Sequence, residues 1–156
     1  MLTIAYLYDY PNYVSNVSRW LYDLYDELTH IDEEAPDYQA LYSYFRNNSK
    51  TELPIRLVAI SDGACVGTVT LIDNDFSGKA YTPWLGGLHV DIQHRGHGIG
   101  QRLIEFAQQL AKTLGYCELY LGTENAGHYY QNLGWTCVET CANDAGQASE
   151  IYRYNL

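Results

Sequence analysis

The chain reads as an α/β protein: one mixed sheet of six to seven strands with about four helices packed on both faces. Three observations predict this. Short apolar stretches bounded by turn residues recur along the chain, two segments near the start carry apolar residues at helical spacing, and a further helical pattern separates strands in the second half. A two-residue or three-residue turn joins antiparallel strands, whereas a strand–helix–strand crossover joins parallel ones, so both kinds of pairing belong to one sheet.

The elements follow in order. Residues 2–8 alternate as a first strand. Asn12 or Ser15 is placed to cap a helix running through Leu28, in which Trp20, Leu21, Leu24, Leu28 and Ile31 form one apolar stripe. A second helix starts after Pro36, carries Tyr38, Leu41, Tyr42 and Phe45, and ends at Asn47-Asn48-Ser49. Both stripes fit core packing. Pro54 introduces a strand over Ile55 to Ile60, Ser61-Asp62-Gly63 turns the chain, and Ala64 to Ile72 returns as the other arm of a hairpin. After the polar loop 73–79, Trp84 to Asp91 is a strand interrupted by Gly86-Gly87, a pattern that marks a bulge or a close backbone approach. A helix over 101–114 ends at Gly115, in the position where helices commonly leave the right-handed region. Cys117 to Leu121 is a strand and 125–132 a short helix stopped by Gly134. Trp135 to Thr140 and Glu150 to Tyr154 close the chain as two strands around the polar loop 143–146.

A chain of 156 residues, 47% hydrophobic and 18% charged, fits one globular domain over residues 1–156. No apolar run reaches the ~18 residues a membrane helix needs, and the first residues lack a basic segment followed by an apolar one, so neither a membrane partner nor a signal peptide is expected. Cys65, Cys117, Cys137 and Cys141 fall in no CxxC pair and no zinc spacing. They predict reduced, mostly buried thiols in a cytoplasmic protein, and no metal site. The net charge of −10, from 9 Lys+Arg against 19 Asp+Glu, argues against a nucleic-acid partner, because phosphate binding draws on lysine and arginine. It suits a cationic substrate, and equally plain solubility. The 16 tyrosines suit half-buried packing with a polar tip.

The functional signal is Arg95-Gly96-His97-Gly98-Ile99-Gly100, which lies between the strand ending near Ile92 and the helix that follows. Glycine lets the backbone turn tightly and come close to a ligand. The first N–H groups of a helix have no intrahelical partner and carry partial positive charge, so the turn is suited to an anion such as a pyrophosphate. A P-loop is absent, since no Lys-Ser/Thr follows Gly100, and GxGxG is not the GxGxxG of a dinucleotide site. A general nucleotide site or a merely structural turn remains open from these residues alone.

The turn, however, resembles at each defining position the Arg/Gln-x-x-Gly-x-Gly/Ala signature of the GNAT superfamily of N-acetyltransferases. Leu88-His89-Val90-Asp91-Ile92 resembles the strand before it, and Tyr129-Tyr130-Gln131-Asn132-Leu133-Gly134-Trp135 is similar to the segment that ends the last helix of such enzymes. The resemblance, which extends over essentially the whole chain and is strengthened by Pro83-Trp84-Leu85 and Tyr120-Leu121-Gly122-Thr123, points to a bacterial branch. It implies a GNAT-like sheet whose central strands splay apart, with acetyl-CoA as cosubstrate and an amine attacking the thioester directly. On that pattern the N–H groups of Gly96, His97, Gly98, Ile99 and Gly100 cradle the pyrophosphate, and Arg95 shapes the turn. Leu88 and Val90 pair with the pantetheine arm, and backbone N–H near Val90 faces the oxyanion. Tyr130 protonates the departing thiolate.

The chain also departs from that pattern. Many relatives place a glutamate early in the strand, where this chain has Trp84-Leu85-Gly86-Gly87, leaving His89 as the nearest titratable candidate for the base. Asp73 and Asp75 lie on a loop implied to border the acceptor. Thr123 stands where an asparagine commonly contacts the cofactor, with Asn125 as a substitute for that contact or as a helix cap. The acceptor is expected to be a small-molecule or peptide amine, with polyamines and aminoglycosides favoured by the acidic balance. Monomer and homodimer are both compatible. A second function of another class, an acyl-CoA-binding sensor without catalysis, is favoured by the missing glutamate and opposed by Tyr130.

Overall fold

The computed structural model describes residues 1–29, 38–76 and 78–156. Ile31, Pro36 and Ser77 lie outside the described residues, as do the side chains of Leu24, Leu28, Tyr38 and Leu41. Among the described residues, seven strands and four α-helices follow the predicted order. These are β1 (Leu2–Tyr6), α1 (Val14–Thr29), α2 (Tyr38–Arg46), β2 (Ile55–Ser61), β3 (Ala64–Ile72), β4 (Trp84–Val90), α3 (Ile99–Thr113), β5 (Glu118–Thr123), α4 (Gly127–Asn132), β6 (Thr136–Ala142) and β7 (Ala148–Asn155). The sheet order is β1-β2-β3-β4-β5-β7-β6. Every neighbouring pair is antiparallel except β4 and β5, which run parallel.

Helices cover both faces, as the alternation within β2 requires. Ile55, Leu57 and Ala59 pack with Leu103, Ile104 and Ala107 of α3, while Val58 packs the other way against Val14, Val17 and Leu21 of α1 and Phe45 of α2. A third cluster, Phe76, Trp84, Tyr120 and Ile151, lies beside the β3–β4 connection. There Phe76 stacks on Trp84 with ring centroids 5.3 Å apart, and Tyr81 stacks on Tyr120 at 4.6 Å. Gly122 floors this cluster, because a Cβ there would meet Phe76 Cζ at 2.7 Å. Gly122→Ala is therefore expected to push Phe76 off Trp84 and lower stability by about 1–3 kcal/mol, read from urea midpoints. An unchanged midpoint would show that the ring turns aside freely.

Several boundaries differ from those predicted. The first strand stops at Tyr6, because Leu7 turns into the core, fully buried, on a 3-10 turn. α1 begins at Val14 from a second 3-10 turn over Pro11–Tyr13, so Ser15 lies inside the helix rather than capping it, and Asn12 lies within that turn. α3 begins at Ile99, because Ile99 already belongs to its buried stripe. The cysteines are free thiols, but only Cys65 is buried; Cys137 and Cys141 are half-buried and Cys117 is exposed.

The feature that positions the site is the gap between β4 and β5. Only Trp84 and Tyr120 are in register there, supported by Tyr120 N–H donating to Pro83 O at 3.1 Å. Beyond that rung the strands diverge toward their C-terminal ends. The cause lies within β4. On β3, Thr68 pairs with His89 and Thr70 with Gly86, so β4 carries one extra residue at the predicted Gly86-Gly87 interruption. Such a bulge bends the strand that holds it.

Candidate active site

The two diverging strands each lead to a helix N-terminus. At the end of β4, Gly96 and Gly98 adopt φ of 80° and 77°, which β-carbon-bearing residues rarely take, and nothing lies within 4 Å of where their Cβ atoms would stand. Gly98 is the N-cap residue of α3, and no side chain caps the helix there. The first N–H groups of this 15-residue helix thus have no side-chain cap. Arg95 braces the turn by donating from Nε to Val90 O at 2.8 Å. The exposed ring of His97 places Nδ1 3.0 Å from Arg95 O.

At the end of β5, Thr123 is buried, and its hydroxyl accepts from Ala126 N–H at 3.0 Å. The N-cap of α4 is Ala126 without a side-chain bond, so the cap expected of Asn125 is not made; Asn125 is exposed. α4 carries two adjacent tyrosines, their rings 5.2 Å apart and near perpendicular. Tyr129 reaches the glycine turn, where a Cβ on Gly100 would stand 3.2 Å from its hydroxyl. Tyr130 turns the other way, into the slot between the strands.

That slot is a cleft of about 380 Å³, with Leu85, Gly87 and Leu88 on one wall, Leu121 and Thr123 on the other, and Tyr130 at its base. Tyr130 is only 9% exposed and packs edge-on against Trp135 at 6.1 Å. Burial, with a smaller contribution from Tyr129, pushes its pKa up to about 12. Among the described residues, no group accepts a hydrogen bond from its hydroxyl. The rim is acidic: Asp75 from the β3–β4 loop, Glu124 from the β5–α4 turn and Asp144 from the β6–β7 hairpin. Glu124 is held in place by Asn143 Nδ2 at 2.9 Å and Ser149 Oγ at 3.3 Å. Asp75 keeps one flank open to solvent, yet crowding by the cleft wall, then the charges of Glu124 and Asp144, push its pKa up to about 6.

Of the predicted residues, Leu88, Thr123 and Tyr130 line one cleft; Val90, Arg95 to Gly100 and Asn125 are not among its lining, and the glycine turn meets α4 through Tyr129. His89 lies elsewhere: its ring stacks at 5.1 Å on Trp20 of α1, and it is not among the residues lining the cleft. Glu124, Asp144 and Tyr129 were not singled out from the sequence. They come from the β5–α4 turn, the β6–β7 hairpin and α4, and only the pairing of β7 between β5 and β6 sets the hairpin beside the β5–α4 turn.

A parted parallel strand pair, an uncapped helix N-terminus after one of its strands and a protonated phenol in the gap suit a long, phosphate-tipped ligand. The model of the family described as Acetyltransferase (GNAT) family matches residues 19–135, and the chain belongs to that family. It is 37% identical over 83 residues to human N-acetyltransferase 8B, a match that covers 50% of this chain and 37% of that protein's length. The Salmonella typhimurium protein yncA, solved with its cofactor acetyl-CoA, superposes with a TM-score of 0.76 at 18% identity, covering 99% of this chain and 94% of that one. Ribosomal-protein-alanine N-acetyltransferase from Brucella melitensis gives 0.75 at 18% identity over 100% and 99%. The two solved structures share the fold of this chain. Among the described residues, no helix is long and apolar enough to cross a membrane.

Proposed function

We propose that this chain transfers an acetyl group from acetyl-CoA to a primary amine by direct attack, both substrates being bound together. The observation that carries this is an uncapped α3 N-terminus that Tyr129 reaches, joined to a cleft that the adjacent Tyr130 lines. Acetyl-CoA fits what lines the site. The N–H groups from Gly96 to Gly100 receive the diphosphate with no Cβ in the way at Gly96 or Gly98, and Arg95 holds their turn against β4. The amide-bearing pantetheine arm takes the place of the missing strand pairing, on the backbone of Leu88 and Val90. Thr123 of β5 lines the same slot, although its hydroxyl is already engaged, and the exposed Asn125 of the β5–α4 turn is the other contact proposed for the cofactor.

Tyr130 supplies the acid. A phenol with a pKa near 12 keeps its proton throughout the neutral range, and its hydroxyl faces the cleft without a competing acceptor among the described residues. The yncA complex with acetyl-CoA supports the cosubstrate, and the human and Brucella relatives, both N-acetyltransferases by name, support an amine as acceptor.

Two measurements test this. Thermal shifts with acetyl-CoA, CoA, ATP and NAD should show stabilisation by the first two alone, since a ligand stabilises the state it binds. Free thiol should then appear from acetyl-CoA in the presence of amines. Tight acetyl-CoA binding with no turnover across an amine panel would instead favour a sensor of acylated CoA.

A further inference from the structure

We propose that Tyr152 is the positioning residue for Tyr130: its buried hydroxyl is the stop on which the first residue of α4 rests, and it sets how far that helix carries Tyr130 into the cleft. The inference rests on the function proposed above and adds a residue to its machinery. Three observations carry it. α4 is only six residues long and its N-cap, Ala126, has no capping side chain, so the helix has little of its own to fix its depth. Its first residue, Gly127, is buried against Tyr152: a Cβ there would overlap the Tyr152 hydroxyl oxygen and stand 2.8 Å from Glu150 Oε1. One turn further on, Gln131 Nε2 donates to the same hydroxyl at 3.4 Å. Residues 127 and 131, on either side of Tyr130 in the helix, thus both meet one oxygen of β7.

The backbone does not require glycine at 127. Gly127 is not among the glycines at positive φ, and it belongs to α4, where alanine is the better helix former. In so short a helix the glycine therefore serves close approach rather than conformation. What approaches is the Tyr152 hydroxyl.

Tyr152 is built as a fixed point. It is fully buried on β7, a strand paired on both sides by β5 and β6. Its ring centroid lies 6.4 Å from that of Tyr130. Burial, then the charge of Glu150, push its pKa up, so the hydroxyl keeps its proton at neutral pH. Glu150 is held in turn by Cys137, which stands opposite Tyr152 on β6 and donates from Sγ to Glu150 Oε2 at 3.8 Å. Tyr152 does not line the cleft, so it acts through Tyr130. A misplacement of about 1 Å can cost a reacting group as much as about 100-fold, so a stop of one atom's depth matters to the rate.

The test measures wild type, Gly127→Ala, Tyr152→Phe and the double variant at saturating acetyl-CoA, with the amine turned over fastest in the panel. Gly127→Ala is expected to lower kcat about tenfold, with the amine KM and the acetyl-CoA Kd within about threefold. Tyr152→Phe alone should lower kcat about threefold, because the stop is one atom shorter. The double variant should return to the kcat of Tyr152→Phe. The overlapping oxygen is then gone, the ring Cζ lies 3.3 Å from the new Cβ, and the end of the half-buried Glu150 side chain can swing aside. In a Tyr130→Phe chain, adding Gly127→Ala should change kcat by less than about twofold, since the group it displaces is already absent. A packing role alone predicts a lower Tm with kcat unchanged. An unchanged kcat in Tyr152→Phe overturns the inference, and this variant decides if Gly127→Ala does not fold. No recovery in the double variant, or a Gly127→Ala loss that persists in full in the Tyr130→Phe chain, also overturns it and leaves acetyl transfer standing. Failure of the wild type to acetylate any amine overturns both.

Discussion

Replacing Gly98 with aspartate is expected to raise the Kd for acetyl-CoA more than 100-fold, measured by calorimetry, in a chain that still folds. The reason is local. At φ 77° an aspartate is strained by about 1 kcal/mol, but aspartate tolerates this region better than most residues do, and no neighbour lies within 4 Å of its Cβ. Its carboxylate also stands at an uncapped helix start, where it can satisfy the same N–H groups the diphosphate needs. Stability gains part of what strain removes. Binding has no such compensation: the amides are occupied, and like charges at ~4 Å with an effective dielectric near 20 repel by about 4 kcal/mol, near a thousandfold in affinity. Gly98→Ala separates the two effects, carrying the strain without the charge. Normal acetyl-CoA affinity in a folded Gly98→Asp protein would place the diphosphate elsewhere.

Tyr130→Phe is expected to lower kcat on the order of 100-fold while leaving the Kd for acetyl-CoA within about twofold. The substitution removes a single oxygen. The ring keeps its contacts with Trp135 and Tyr152, with centroids 6.1 Å and 6.4 Å away. Because nothing among the described residues accepts from the hydroxyl, its removal strands no partner, and urea unfolding should show stability unchanged or slightly higher. A packing role predicts the opposite pattern, lower stability with an unchanged rate. Steady-state kinetics and denaturation on the same preparation distinguish the two.

Much of this was legible in the residues. The element order followed from period and punctuation, and the Gly86-Gly87 pair marked the bulge that parts β4 from β5. What stayed hidden depends on three-dimensional pairing. Nothing local to residues 148–155 says that β7 inserts between β5 and β6, yet that placement sets Asp144 across from Glu124. The strand histidine illustrates the same point. Its side of β4 is set by the extra residue at the bulge, and in the structure His89 meets Trp20 of α1. Asn125 does not cap α4: the N-cap is Ala126, and the side-chain bond made at this turn is from the Ala126 N–H to the buried Thr123 hydroxyl. The thiols were misjudged because hydrophobicity alone does not say which side of a strand a residue takes.

The single rung between Trp84 and Tyr120 has a consequence for how the protein survives in crowded solution. Bare strand margins are hazards when they point outward, since a foreign chain can zip onto them. Here two such margins face one another inside the molecule, and on the function proposed above the guest they take is a thin amide-bearing tether rather than a polypeptide. The vulnerability of an unfinished sheet is turned inward and becomes a berth.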